Sequence, residues 1–499
     1  MTPASPSTAI RPSRATLWTN RVRRLFSFPI MCLFFLGATI LSYAPRGLSV
    51  GEPDIWWRLR NGSYLWQHHS LLHVDTYSFT AAGSPWTSFE WLSDLVFFST
   101  FHIAGLQGIV AVYSLAMILI FAGVYYRCCL AGANYKDAVV ATLGGICLGA
   151  VSLAPRPVLF GWIFLTAVLI ALDHFRISGK GLWVLPPLFF VWINVHGSWI
   201  YGMVILVLTI AGGLIEGAWG LVVANRWSPA ELRKLLLVLT VSIVALFVNP
   251  LGYKLVLYPF KFQLRLRPVM EFIEYWRPVD FSTWNGKLAL GLIFAVLAAA
   301  LFSRRRWRLD EVLIAAFALW SGLVHVRFLD LAAIIIVPIL APRLRLFTPY
   351  EPELDKPLLN AVIMLAVVVY VIHSFPSAAQ LQMRVESEYP GGVLHFMQTH
   401  DMNGRIFHPA EFGGYLEWQA PQVKSFIDGR DEIFVANGTF ADYISALQVK
   451  RPLEVLDKYK IDYVILEPYQ PMAYVLQHSS TWHSVYSDNS AVLFERVSH

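Results

Sequence analysis

Charge is scarce in this chain. Asp, Glu, Lys and Arg make up 14% of its 499 residues, against roughly 25% in a soluble protein. Disordered, collagen-like and coiled-coil chains are excluded by the same composition. Cysteine is scarcer still. The four present, Cys32, Cys128, Cys129 and Cys147, lie in or beside apolar stretches, so no disulfide-stapled external domain is expected. The adjacent pair Cys128 and Cys129 reads as an apolar helix end rather than a metal site. A phosphate-cradling Gly-rich loop, a Cys/His metal cluster and a Gly-x-Ser-x-Gly elbow are also missing, which excludes an ATP-driven pump. No internal repeat is evident, so the inverted halves common in transporters find no support.

What the chain does have is apolar length. Hydrophobic residues make up 56% of it, and the mean hydropathy is +0.53. Apolar runs near 25–44, 106–127, 137–154, 157–175, 182–195, 198–216, 233–249, 286–302, 310–325, 327–341 and 358–376 predict a polytopic α-helical membrane protein of about eleven spans. Ala44-Pro45-Arg46 is a poor cleavage site, so the first run reads as an uncleaved span. The net charge of +6 comes largely from Lys and Arg in short loops. Those clusters fall on alternate connections, which places the amino terminus in the cytoplasm and the carboxyl terminus outside. No basic-aromatic stripe is present, and nucleic acid is not an expected partner.

The chain divides into a transmembrane domain, residues 1–376, with a large first external loop at 45–105, and an extracytoplasmic α/β domain at 377–499. In the second part Arg405-Ile-Phe-His, Lys424-Ser-Phe-Ile and Tyr463-Val-Ile-Leu read as strands. Trp482 to Tyr486 and Ala491 to Arg496 flank a hairpin turn at Ser487-Asp-Asn-Ser. Lacking a nucleophile–base pair, this domain is expected to recognise an acceptor or act as a lid. Asp428-Gly-Arg-Asp reads as a turn after a strand.

The first external loop is the most informative stretch. It holds Asp54-Ile-Trp-Trp-Arg-Leu-Arg-Asn-Gly at the start of an amphipathic interfacial helix, then Glu90-Trp-Leu. A carboxylate at a membrane surface can take a proton from an attacking hydroxyl or amine. Asp54 next to Trp57 suits that task, although an Asp in that position also serves as a plain helix cap. Polar groups recur at the external ends of the spans: Arg156 between two prolines, Asn194 and His196 in Asn-Val-His-Gly, and Arg327 with Asp330. Arg156 has no acidic neighbour in sequence and is a candidate phosphate ligand. Arg327 and Asp330 are spaced either to bind a ligand or to neutralise each other. Asn194, His196, Glu90 and Trp57 are candidate substrate contacts.

In order and spacing these features resemble the GT-C class of integral membrane glycosyltransferases, which includes protein O-mannosyltransferases, oligosaccharyltransferases and aminoarabinose transferases of lipid A. The resemblance rests on Glu52-Pro-Asp54 soon after the first span, on two interfacial helices in one external loop, and on a terminal domain. More narrowly, Asp54-Ile-Trp-Trp-Arg-Leu-Arg-Asn-Gly, Asn194-Val-His-Gly and Phe426-Ile-Asp-Gly-Arg are similar to a group of bacterial membrane proteins. The His-Pro-Pro-type element of the mannosyltransferase branch is absent, and Phe89-Glu-Trp-Leu stands in its place.

The resemblance implies that Asp54 is the catalytic carboxylate with Glu52 beside it, and that the donor is a sugar on polyprenyl phosphate. It further implies an acceptor that is a glycan, lipid or protein and an inner-membrane location; on that reading Arg156 or Arg327, picked out above by position, is expected to hold the donor phosphate. No cofactor is certain, but Glu52 and Asp54 can share a divalent cation. The alternative is a non-catalytic scaffold or a transporter of envelope biogenesis. A catalytic reading requires one cavity that joins Asp54, His196 and Arg327.

Overall fold

The computed structural model describes residues 23–43, 53–150, 154–266 and 276–497. Glu52, named above, lies outside the described residues. In chain order the first helices are α1 (Phe28–Tyr43), α2 (Asp54–His68), α3 (Trp91–Leu130), α4 (Tyr135–Gly149), α5 (Val158–Ser178), α6 (Leu185–Val195) and α7 (Trp199–Ala211). Two short strands, β1 (Gly217–Trp219) and β2 (Val222–Ala224), precede α8 (Pro229–Leu246), α9 (Tyr253–Leu266) and α10 (Trp284–Phe302). Then come β3 (Trp307–Arg308), α11 (Leu309–Val324), α12 (Leu329–Leu344) and α13 (Pro357–Ser374).

Each of the eleven apolar runs carries a helix. Four of these, α3, α5, α10 and α13, are long and apolar enough to cross a membrane. Six of the others are shorter, from the 11 residues of α6 to the 16 of α1, against the ~20 that a perpendicular span needs; α8 equals α13 at 18 residues but carries Glu231, Arg233 and Lys234. Burial separates the four. The apolar windows of α3 and α5 are 61% buried, whereas those of α10 and α13 are 17% and 11% buried. The last two thus present apolar surface outward. The centre of the bundle is α12, where every residue from Leu329 to Arg343 is buried. A helix that is apolar all round belongs in such a place.

One end of the bundle is closed by ion pairs. Arg127 reaches Asp173 at 2.8 Å, Arg176 reaches Asp310 at 2.6 Å, and Arg343 reaches Glu311 at 3.3 Å. Beside them β1 pairs antiparallel with β2, and β2 pairs parallel with β3. These three arginines stand in the last turns of α3, α5 and α12.

The other end carries the first loop. Here α2 departs from the expected surface helix, because both its neighbours bury it. Ile55, Trp56, Trp57, Arg58, Leu59, Asn61, Gly62 and Leu65 are all buried. The side chain of Asn61, part of a glycosylation-like triplet, is used internally and donates to Asp94 at 2.6 Å. Gly62 permits the contact with α3, since a Cβ there would stand 2.4 Å from the Asp94 carbonyl oxygen. α3 itself breaks at Ala104 and Gly105, the latter at φ +57°, a region open to glycine. The break sets off a first segment, packed on α2, from the apolar length that follows.

The terminal region begins with α14 (Ala378–Glu388) and α15 (Gly391–Thr399). It continues through β4 (Ile406–Phe407), α16 (Ala410–Gln419), α17 (Asp431–Ala436), α18 (Thr439–Leu447) and α19 (Pro452–Lys458). Next come β5 (Tyr463–Leu466), α20 (Pro471–Gln477), β6 (Trp482–Ser487) and β7 (Val492–Arg496). The sheet order is β4-β5-β7-β6, parallel between the first two and antiparallel elsewhere.

The stretch from Lys424 does not join this sheet, contrary to its strand-like sequence. Its backbone pairs with the first loop: Phe79 N–H donates to Ser425 O at 3.0 Å, and Ser425 N–H donates to Tyr77 O at 3.2 Å. Extended backbone must find partners somewhere, and here they come from residues far away in sequence. Trp57, Tyr77 and Trp86 share one apolar cluster with Phe426, Ile427 and Phe434. Terminal region and first loop therefore pack as one body.

Candidate functional site: a cavity between the bundle and the terminal region

A cavity of about 570 Å³ opens where the bundle, the first loop and the terminal region meet. Ligand pockets span roughly 300–1,000 Å³. Six of the sequence candidates line it: Asp54, Trp57, Glu90, Arg156, His196 and Arg327. Aromatic side chains, Tyr258 of α9 and Trp276 among them, cover much of the remaining wall. Asn194 is not in the wall. Its amide accepts from Trp91 Nε1 at 3.1 Å and donates to Phe190 O at 2.9 Å, so it holds α6 against the start of α3.

Asp54 is the first residue of α2, and the N-cap position ahead of it is held by Pro53, which has no side-chain oxygen to cap with. Asp54 Oδ1 accepts from Trp57 Nε1 at 3.2 Å. Trp56 turns the other way, edge-on to Tyr389 and Tyr415 of the terminal region.

One turn further on, Arg58 is buried between two carboxylates. Its Nη2 lies 2.6 Å from Glu90 Oε2, and its Nη1 lies 3.1 Å from Asp94 Oδ1. Ser88 and Asn61 each donate to Asp94 Oδ2 at 2.6 Å. Glu90 has a second partner in His196, whose Nε2 stands 3.1 Å from Oε1. His196 Nδ1 accepts the Ser198 N–H at 2.9 Å, so the ring proton sits on Nε2 and is donated to Glu90. His196 thereby orients Glu90, and its ring is committed at both nitrogens.

The opposite wall is cationic. Arg156 stands in the turn before α5, and Arg327 stands between α11 and α12 with its guanidinium 4.3 Å from the Trp276 ring centre. Arg156 is the charge that bears most on Arg327, so two guanidiniums converge here. Asp330 accepts from Trp162 Nε1 at 2.6 Å and from the Leu331 N–H at 2.7 Å, and its charge also acts on Arg327.

The terminal region supplies the part of the wall that sequence reading missed: Gly429, Arg430, Asp431 and Glu432. Gly429 abuts Asp54 so closely that a Cβ would stand 1.9 Å from Oδ1. Arg430 is buried in a carboxylate cage, 2.5 Å from Asp428, 2.7 Å from Asp75 and 3.7 Å from Glu417. Its guanidinium also lies against Tyr77 and Trp86. Asp428 is buried, which raises a carboxyl, but Arg430 outweighs this and holds it below the usual range. Glu417 goes the other way: burial and then the Asp428 charge push it well up.

Beyond this cage Glu432 accepts from Trp86 Nε1 at 3.2 Å, and burial raises its carboxyl to about 7. Asp431 is raised well above its ordinary value, first by burial and then by the charge of Asp54. A signal for these residues existed. Asp428 to Glu432 interrupts an otherwise apolar stretch from Phe426 to Val435, and charges enclosed by apolar sequence are often buried and paired.

Among the described residues no three His, Cys, Asp or Glu side chains are grouped to hold a metal ion. The cation that Glu52 and Asp54 could share involves Glu52, which lies outside these residues.

No family model matches this chain, and no curated protein matches it. Solved structures with some likeness include the oligosaccharyltransferase AglB of Archaeoglobus fulgidus, in complex with an inhibitory peptide and a dolichol-phosphate. It is 11% identical, with a TM-score of 0.47, over 92% of this chain and 73% of that one. The apo form of an Archaeoglobus fulgidus oligosaccharyltransferase is 10% identical, with a TM-score of 0.46, over 87% and 69%. The likeness is too slight to carry chemistry from one chain to the other.

Proposed function

We propose that this chain is a membrane glycosyltransferase, moving a sugar from a polyprenyl-phosphate-linked donor to a glycan, lipid or protein acceptor outside the cytoplasm. The reading rests on one observation, the polarity of the cavity. Carboxyls at Asp54, Asp431 and Glu432 form one part of the wall, and guanidiniums at Arg156 and Arg327 another. The helices α5 and α12 also begin beside this cationic wall, and helix N-termini add to its attraction for an anion. A phosphate bound there would sit between the bundle and the carboxyls.

In the reaction the acceptor oxygen or nitrogen attacks the anomeric carbon, and the bond from that carbon to the phosphate oxygen breaks. The electron pair leaves with the phosphate, where Arg156 and Arg327 balance the charge. Asp54 takes the acceptor proton. Trp57 and His196 keep Asp54 and Glu90 in place. A scaffold has no use for a cavity of divided charge, which weighs against the non-catalytic reading.

The proposal extends to an inner membrane of a bacterium, eleven spans, and a carboxyl terminus outside. A reporter fused after His499 that works only in the cytoplasm would reverse that orientation. The chemistry is tested with the full chain in proteoliposomes supplied with a polyprenyl-phosphate sugar. Asp54→Asn should lower transfer by about 10²–10⁴-fold, the usual contribution of a general base. Arg156→Gln and Arg327→Gln should raise KM for the donor. Transfer unchanged in Asp54→Asn removes Asp54 from the mechanism.

A further inference from the structure

We infer that the Tyr201 hydroxyl is a third ligand of the donor phosphate, donating its O–H to a non-bridging phosphate oxygen beside Arg156 and Arg327. This role rests on the phosphate site of the reading above and adds a residue to it.

Packing is the first support. Tyr201 stands in the first turn of α7 and lines the cavity. Rings from three other parts of the bundle enclose its own. Trp162 of α5 lies 5.8 Å away between ring centres, Phe317 of α11 lies 6.2 Å away, and Phe328 before α12 stands edge-on at 5.1 Å. Gly161 permits the approach of α5, since a Cβ there would collide with Ser198 Oγ at the head of α7. The Arg327 guanidinium lies 5.6 Å from the centre of the same Phe328 ring. The starts of α5 and α7 and the turn into α12 thus bring Arg156, Tyr201 and Arg327 to one wall. A ring held on three sides keeps little freedom, so the hydroxyl is in place before a ligand arrives.

The hydroxyl itself is the second support. Among the described residues it takes part in no hydrogen bond. Its polar neighbours are engaged: Trp162 Nε1 donates to Asp330 at 2.6 Å, Ser198 Oγ accepts from Trp192 Nε1 at 3.0 Å, and His325 Nδ1 donates to the Trp276 carbonyl at 2.6 Å. The Tyr77 hydroxyl also makes no hydrogen bond, but it is sealed inside the protein, whereas Tyr201 faces the cavity. The charges that act on Tyr201 are Arg327 and Asp330. Arg156 adds a second cation to Arg327, so positive charge prevails over the single carboxylate. An ionised phosphate offers acceptors alone, and a phenol beside two guanidiniums offers donors alone to it at neutral pH.

In a sugar phosphodiester the phosphate carries one negative charge. When its bond to the anomeric carbon breaks, the electron pair leaves with the phosphate oxygen and the departing monoester gains a second charge. The proton stays on the phenol throughout, and its hydrogen bond tightens as that charge grows. Tyr201 therefore contributes more to the transition state than to donor binding.

The test compares the wild type with Tyr201→Phe, which keeps the ring and its contacts and deletes only the oxygen. The purified full chain in detergent micelles is titrated with geranylgeranyl phosphate, with geranylgeraniol and with inorganic phosphate. Tyr201→Phe should weaken geranylgeranyl phosphate by about tenfold, the scale of a hydrogen bond to a charged group, and leave geranylgeraniol unchanged. Unchanged affinity for the phosphate, or an equal loss for the alcohol, overturns the inference. Inorganic phosphate that binds as tightly, with the same dependence on Tyr201, overturns the assignment to a lipid-linked donor. None of these measurements needs sugar transfer. If the phosphate preference depends on Tyr201 while transfer survives Asp54→Asn, the mechanism through Asp54 fails and the phosphate ligand stands. If transfer needs Asp54 but Tyr201→Phe changes neither donor affinity nor rate, the ligand fails and the transferase reading stands.

Discussion

Two buried arginines flank the cavity, and each stands close to an aspartate in its wall. Arg58 follows Asp54 by one helical turn, and Arg430 immediately precedes Asp431. Their cages differ in reach. Arg58 binds Glu90 and Asp94, which belong to the same loop, so this knot joins α2 to α3 and shapes the loop from within. Arg430 joins Asp428 and Glu417 of the terminal region to Asp75 of the first loop. This knot brings distant parts of the chain together and makes the terminal region part of the cavity. The cages also differ in proton content. Around Arg58 the nearby donors Ser88, Asn61 and His196 share the negative charge. Around Arg430 three carboxyls meet one cation, and Glu417 is the one pushed toward its protonated form.

Removing either cation strands buried carboxylates, so Arg430→Met and Arg58→Met should each destabilise the fold by about 3–5 kcal/mol. The comparison lies in where the damage falls. Limited proteolysis should release the terminal region in Arg430→Met and leave it protected in Arg58→Met. Equal release in both variants would mean that the two knots do the same work.

Gly429→Ala probes the contact between the two halves with a single methyl group. The atom it meets is the end of a side chain, so the Asp54 carboxyl must turn away. Transfer should fall by about tenfold, ~1.4 kcal/mol in the barrier, with a much smaller change in the thermal midpoint. A variant that loses stability and activity together would show that the backbone, rather than Asp54, has moved.

Glu432 yields a pH signature. Its folded value, about 7, exceeds its ordinary 4.5, so the folded state holds that proton more tightly than the unfolded state. Its contribution is therefore complete below pH 4.5 and is lost as pH rises to about 7. Melting curves across this window should show a decline in the wild type that Glu432→Gln flattens. The smallest effect is expected for Glu417→Gln, which replaces a carboxyl already pushed toward its protonated form with an amide of equal size. A change within about 0.5 kcal/mol is expected, whereas Asp428→Asn should be far more damaging.

The helices were largely legible in the sequence because apolar length and punctuation are local properties. The eleven runs each became a helix, and β4, β5 and the β6–β7 hairpin fall where alternating residues predict them. Lys424 to Ile427 misled because an alternating segment shows that it will pair, without showing with what. Asp54, Arg156, His196 and Arg327 stood out because ionisable residues at the ends of apolar runs are costly unless employed. Asn194 drew attention for the same reason and serves packing instead. Asp431 and Glu432 were hidden in a motif that also makes an ordinary turn.

Composition and periodicity alone determined that this chain builds apolar helices and a terminal α/β region, and that basic loops alternate with polar ones. Those follow from the energetics of each segment in its own surroundings. Only the tertiary structure decided that Arg430 finds Asp75, that Gly429 closes on Asp54, and that carboxyls from both ends of the chain face two arginines across one cavity. Such contacts depend on burial, and burial is created by the whole fold: the same Asp-Gly-Arg-Asp is a solvated turn in the open and a charged wall once aromatic rings and a second set of carboxylates enclose it.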